Sequence, residues 1–185
     1  MVAAETLEAA ALEVASAVPD PELPVVTLGD LGIVRGVSVA GDGVVEVQLT
    51  PTFVGCPATE VIAADVRAAV EARLARDGAA GVEVRTRMVM APAWSTDWIS
   101  EDGRRKLAEH GIAPPAGGGR AADAGPVFVQ ISPSPSPHPP TQKSSCCPHC
   151  GSAETRELSA FGSTPCQSLR ACRACGEPFG AMKSL

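Results

Sequence analysis

Cys147-Pro148-His149-Cys150-Gly151 and Cys172-Arg173-Ala174-Cys175-Gly176 are two Cys-x-x-Cys-Gly knuckles with twenty-one residues between their inner cysteines. Each such turn aims two thiolates at one point, and the glycine after it permits the backbone conformation the turn requires. The insert offers Thr155-Arg156-Glu157-Leu158, Leu169-Arg170 and Pro178-Phe179 as short segments suited to a small hairpin sheet. This is the plan of a zinc ribbon, with Cys147, Cys150, Cys172 and Cys175 as the ligands of one structural zinc. A segment of about forty residues cannot sustain itself on an apolar core, so metal binding supplies much of its folding energy. Four thiolates close the coordination sphere, which makes the site structural and leaves no open position for catalysis. A redox dithiol is the alternative, but such a motif sits at a strand end and opens a helix, and neither pair does. Cys146 and Cys166 fall outside the pattern and read as spare thiols, with a second metal or cluster as the other reading for Cys166. His149 is expected to face solvent.

Working back from the knuckles, residues 114–144 change composition sharply. Gly117-Gly118-Gly119 and Ser132-Pro133-Ser134-Pro135-Ser136-Pro137-His138-Pro139-Pro140 mark a flexible linker that cannot bury enough surface to order itself. Val127-Phe128-Val129-Gln130-Ile131 interrupts it as a candidate short strand. The expected organisation is therefore residues 1–113 as one globular domain, 114–144 as linker and 145–185 as the ribbon.

The first domain reads as α, β-hairpin, α, β, α. Leu7, Ala11, Val14 and Val18 recur at helical spacing over Glu5–Val18, and Pro19 and Pro21 end that helix. Asp20-Pro21-Glu22-Leu23-Pro24 is a proline-stiffened loop. Ile33–Val39 and Val44–Thr50 are strands joined at Gly41-Asp42-Gly43. A long helix from Ala58 to Arg76 buries Val61, Ile62, Val66, Val70 and Leu74. Val82–Val89 is a third strand, with Met88 and Met90 among its apolar positions. Ser100 caps a last helix over Glu101–His110, closed by Gly111. The fold class is α+β: a small sandwich with helices packed on one mixed sheet, then the linker and the ribbon.

Composition excludes several classes. Apolar residues make up 45 %, enough for a packed core. No apolar run approaches a membrane span, and the alanine-rich start lacks the basic flank of a secretory signal. The seven cysteines then read as reduced thiols and metal ligands, with the cytoplasm as the expected compartment. The net charge is −6, and residues 1–113 hold 17 acidic against 9 basic groups. A nucleic-acid module presents a basic face, so no nucleic acid and no membrane is expected as partner. No phosphate loop, metalloprotease pair or Ser/His/Asp set is present.

Two readings stand for Cys56. It lies between the strand Val44–Thr50 and the long helix, where free N–H groups and the helix dipole favour thiolate. A lone cysteine is also commonly a small buried residue. Asp20 and Glu22 are hard oxygen ligands or simply loop charges. Trp94 and Trp98 read as packing, with a partner anchor as the alternative.

Asp20-Pro21-Glu22-Leu23-Pro24, Leu28-Gly29-Asp30-Leu31-Gly32-Ile33-Val34 and Thr50-Pro51 through Gly55-Cys56-Pro57-Ala58 resemble the SufT-like family of iron–sulfur cluster assembly factors. With Ala91-Pro92-Ala93-Trp94-Ser95-Thr96-Asp97-Trp98-Ile99, Gly103–Leu107, Gly111–Pro115 and the terminal ribbon, the whole chain is similar to the PaaD (PaaJ) family. Members of that family are subunits encoded with the phenylacetyl-CoA epoxidase. The resemblance implies a non-enzymatic accessory subunit of aerobic phenylacetate catabolism that helps mature or repair a di-iron or iron–sulfur centre. It implies oxygenase and reductase subunits as partners. Cys56 would be the thiolate holding iron or a cluster transiently, and Asp20 and Glu22 the matching acidic loop. A structural subunit that moves no metal, and a nucleic-acid-binding ribbon, are the competing readings.

Overall fold

The computed structural model describes residues 4–53, 55–115 and 145–183. The expected linker, apart from Pro114 and Pro115, and the candidate strand Val127–Ile131 lie outside the described residues. Two compact units are formed: one of residues up to Trp94 together with Trp98–His110, the other of Ser95–Asp97 and residues from Gly111 onward.

In the first unit, helix α1 (Ala4–Ala17) precedes the hairpin β1 (Val34–Val39) and β2 (Val45–Leu49). Helix α2 (Thr59–Arg76) then crosses to β3 (Val84–Met88), and α3 (Glu101–Glu109) ends the unit. The sheet order is β1-β2-β3, antiparallel in the first pair and parallel in the second. It is the mixed sheet expected, with α2 as the crossover a parallel pair requires. Val45, Val47 and Leu49 are fully buried and alternate with Glu46 and Gln48, the period-two signature of a strand covered on one face.

Ile62, Val66, Val70 and Leu74, each four residues from the next, form the buried stripe of α2. Val61, expected in that stripe, is exposed: 3.6 residues per turn rotates it about 100° off the row. Met90, also expected among the apolar positions of the third strand, is exposed just past the end of β3. In α1 the buried positions are Leu7, Ala11 and Ala15, with Val18 buried just past its end and Val14 half-buried.

Asp30 holds the loop between α1 and β1. Its carboxylate accepts from the Thr27 N–H at 2.9 Å, the Ser100 hydroxyl at 3.3 Å and the Lys106 ammonium at 2.8 Å. Its N–H is returned to Thr27 Oγ1, and its carbonyl accepts from the Ser100 N–H. Ser100 in turn caps α3 through the Gly103 N–H. The loop backbone lies too close to its neighbours for side chains. A Cβ on Gly29 would sit 2.8 Å from the Ser16 carbonyl, and one on Gly32 2.6 Å from Trp98 Cβ. Trp94 is buried and donates its ring N–H to the Leu31 carbonyl at 2.8 Å. Trp98 carries the Arg35 guanidinium 3.5 Å over its ring. Trp94 is thus a packing residue, while Trp98 is half-buried.

The second unit is a four-stranded sheet in the order β4-β7-β6-β5. Strands β5 (Thr155–Ser159), β6 (Gln167–Cys172) and β7 (Pro178–Met182) form the expected antiparallel ribbon. The fourth, β4 (Ile112–Ala113), comes from directly after α3 and pairs parallel to β7, Ile112 with Gly180 and Ala113 with Ala181. That pairing carries the ribbon sheet back across the expected 113/114 boundary. No helix among the described residues is long and apolar enough to cross a membrane.

Gly32 has φ +67° as well as its contact with Trp98. Gly32→Ala should therefore cost about 2–4 kcal/mol, combining left-handed strain with overpacking, read as a lowered midpoint in chemical denaturation. The Asp30 carboxyl is partly desolvated, which opposes ionisation. The Lys106 and Thr27 hydrogen bonds outweigh this and hold its pKa below the usual carboxylate value. A group depressed in the folded state stabilises above its unfolded pKa, and that contribution is lost as pH falls through the folded value. The stability gap between wild type and Asp30→Asn should be widest near neutrality and close below about pH 4. A gap independent of pH would remove this account of Asp30.

Candidate functional site

Thr50 is buried at the end of β2, and its hydroxyl donates to the Val89 carbonyl at 2.8 Å, beyond the end of β3. The chain leaving this point reaches Cys56 in the loop between β2 and α2, outside the carboxyl end of a parallel strand, where open α/β sheets place their ligands. Helix α2 starts at Thr59, and its N-cap, Ala58, contributes no side-chain cap. Cys56 is held by its backbone. Its N–H donates to the Phe53 carbonyl at 3.1 Å, and its carbonyl accepts the Thr59 hydroxyl at 2.7 Å.

The half-buried Cys56 thiol donates toward Glu22 Oε2 at 3.8 Å. The proline-rich loop and the β2–α2 loop, far apart in sequence, thus meet side chain to side chain. Asp20 is buried in the same loop but is differently engaged: its Oδ1 accepts the N–H groups of Glu22 and Leu23 at 2.9 and 2.8 Å. Desolvation pushes the Asp20 pKa above the usual carboxylate value, against the two N–H bonds that favour its charge. The carboxylate shapes the turn that presents Glu22.

The electrostatics of Cys56 reverse the expectation of a helix-stabilised thiolate. Desolvation is the largest influence and raises the thiol pKa. The Ala58 N–H and the Thr59 hydroxyl favour thiolate, but the nearby charges of Glu22 and Asp20 oppose it, and the net shift is upward. Sequence position supplied the helix N-terminus but not the two carboxylates folded over it. The thiol is predominantly protonated, and a cation between the sulfur and the carboxylates would reverse that balance.

The knuckle cysteines form a second cluster. Their four Sγ atoms all lie within 4.8 Å of one another. Cys147 and Cys175 are 3.8 Å apart, Cys150 and Cys172 3.5 Å. Four sulfurs about 2.3 Å from a tetrahedral zinc stand about 3.8 Å from one another, so this donor set fits the ion. The Cys175 N–H, with help from neighbouring groups, lowers Cys172 to about 6. The Glu177 N–H favours the Cys175 thiolate, but desolvation and the three facing thiols push it up to about 12. Four thiolates cannot share this space without a cation. Cys146 is exposed, and Cys166 lies 3.0 Å from the Thr164 hydroxyl; neither joins the cluster. His149 is exposed, as expected.

Sequence reasoning named Cys56, Glu22 and Asp20 but missed their division of labour. It also missed Thr59 and Ala58 as the groups around the thiol. The signal for Thr59, a hydroxyl residue at a helix start, was readable.

Comparisons with known proteins bear on both clusters. The family model described as an iron–sulfur cluster assembly protein matches residues 8–84. The PaaD zinc beta ribbon domain matches residues 132–183. The chain is 40 % identical over 170 residues to a 1,2-phenylacetyl-CoA epoxidase subunit of Escherichia coli (strain K12), covering 92 % of this chain and 88 % of that protein. It is 39 % identical over 88 residues to an Fe-S protein maturation auxiliary factor of Porphyromonas gingivalis, covering 48 % of this chain and 78 % of that one. A crystal structure of a DUF59 domain from Bacillus anthracis matches at 27 % identity and a TM-score of 0.48, over 56 % of this chain and 92 % of that chain.

The Cys56 environment makes a testable statement. In metal-free protein at neutral pH, iodoacetamide should label Cys56 several-fold more slowly than a free cysteine, whose pKa is about 8.5. Glu22→Gln should accelerate that labelling by removing a charge that raises the thiol pKa. Peptide-resolved mass spectrometry reads the site, and unchanged labelling in the variant would show that Glu22 does not act on the thiol.

Proposed function

Because the chain belongs to the PaaD family of phenylacetyl-CoA epoxidase subunits, we propose that it is a non-enzymatic accessory subunit that helps mature or repair a metal centre of that oxygenase. The centre served is di-iron or iron–sulfur, and the partners are the oxygenase and reductase subunits of the same system, in the cytoplasm. The observation that carries the reading is the meeting of Cys56 and Glu22 at 3.8 Å, inside the span matched by the iron–sulfur assembly model. A thiol and a carboxylate facing each other across two loops are a mixed soft and hard donor pair. Iron or a small cluster is the cargo, taken up as the Cys56 proton leaves. Asp20 keeps Glu22 in position through its turn and adds negative charge to the site.

The division of labour proposed is an assembly domain over 1–113, whose last two residues pair into the ribbon sheet as β4, a linker over 114–144 and a zinc ribbon over 145–185. Cys147, Cys150, Cys172 and Cys175 hold a structural zinc, which supplies folding energy and no chemistry. The ribbon serves recognition of a partner subunit. Its residues from 145 carry four basic and three acidic groups, too even a balance for phosphate-backbone binding.

One observation favours a second reading. The elevated Cys56 pKa suits an inert thiol, and hence a structural subunit that moves no metal. Anaerobic purification with metal and sulfide analysis separates the two. Wild type and Cys56→Ala should each carry about one zinc per chain, as a closed four-thiolate site does. Iron should be present in the wild type and lost in the variant, and epoxidase activity in cells should fall with it. Cys56→Ala cells with full epoxidase activity would leave the structural reading standing.

A further inference from the structure

The buried core of the ribbon contains Ala113, Cys147, Cys172, Phe179 and Ala181. Two of the four clustered cysteines therefore share one buried core with a residue from directly after α3, outside the 132–183 span of the ribbon family model. Ala113 is completely buried, and its strand pairs with β7, which follows Cys175 after two residues. Two glycines flank the pairing. Gly180, opposite Ile112, cannot take a Cβ without meeting Gln167 Oε1 at 2.5 Å, and Gln167 is itself buried. Gly111 enters the strand at φ +74°, and a Cβ there would stand 3.4 Å from the His149 ring of the first knuckle.

We infer that Gly111-Ile112-Ala113 is a working part of the ribbon's metal centre: β4 positions the cysteines from behind, so that metal affinity and the order of β4 are one equilibrium. Ala113 is a positioning residue, since it shares the buried cluster with Cys147 and Cys172 and contributes no ligand atom. Metal binding to such a module is folding free energy, and a strand that is native only when the sheet is closed shares in that energy. Only His110 and Gly111 separate β4 from α3. Gly111 serves that connection because helix ends close through a left-handed residue, which glycine adopts without strain.

The inference rests on the four-thiolate reading of the site and is tested in the full chain with zinc as the probe. Competition against a chromogenic chelator should show zinc affinity about five- to a hundredfold weaker in Ala113→Leu, the range expected from overpacking a filled site. Hydrogen exchange on the wild type provides the second measurement. Stripping zinc should remove protection from Ile112 and Ala113 together with residues 179–182 of β7, while Val45–Leu49 stays protected. An Ala113→Leu affinity within about twofold of wild type, or β4 amides whose exchange ignores zinc, overturns the inference and leaves the four-thiolate reading intact. A wild-type chain that takes up no zinc overturns that reading, and the inference with it.

Discussion

The Asp30 carboxylate is the fixed point of the N-terminal unit. In a chain with 3 % aromatic residues, the core is built from valine, alanine and leucine, which pack well but specify direction weakly. Direction comes from a part-buried charge whose partners have defined geometry. Thr27 returns the bond within the loop, Ser100 couples it to the cap of α3, and Lys106 neutralises it from the next turn of that helix. An unpaired carboxylate there would be costly, so the loop, the cap and the helix stand together. The glycines follow from this: bringing α1, Trp98 and α3 against the loop backbone leaves no room for Cβ atoms at Gly29, Gly32 and Gly103.

The same loop determines where the candidate site can be. Pro19 bridges to Thr27, and the Asp20 N–H donates to the Val26 carbonyl, so the acidic turn is stapled to the base of the Asp30 loop. Asp20 then commits its carboxylate to the Glu22 and Leu23 N–H groups, and Glu22 is left projecting toward Cys56. Rigid support behind a half-buried polar pair is the arrangement a binding site needs.

Much of this was legible in the sequence, because local pattern and tertiary fold agreed. The hairpin announced itself through Gly41-Asp42-Gly43 between alternating strands, α2 through its four-residue apolar row, and the ribbon through cysteine spacing. What was not legible depended on partners remote in sequence. Val61 looks like a core residue until the helix is rotated to fit its row at Ile62. The upward shift of the Cys56 pKa needs Glu22 and Asp20 brought across from another loop, whereas the helix N-terminus that argues the other way is local. Strand β4 is two residues long, with no periodicity to display, and its partner β7 follows only after β5 and β6. Short strands recruited by an existing edge leave almost no pattern, since the edge supplies the register.

The two sulfur sites answer opposite physical demands. At the knuckles four thiols stand at tetrahedral spacing, and their mutual repulsion as anions can be relieved only by a cation in their midst. Such a set binds tightly, closes its coordination sphere and has nowhere to pass an ion on. At Cys56 one half-buried thiol faces one carboxylate on a separate loop, and desolvation and charge keep its proton on. Two donors leave most of a metal's coordination positions to other ligands, and a bound proton competes with the metal for the sulfur. Weak, incomplete and proton-opposed ligation is a defect in a structural site. In the cargo role proposed for Cys56 it is the requirement, because a site that must surrender its ion to a partner's ligands cannot itself complete the ion's coordination.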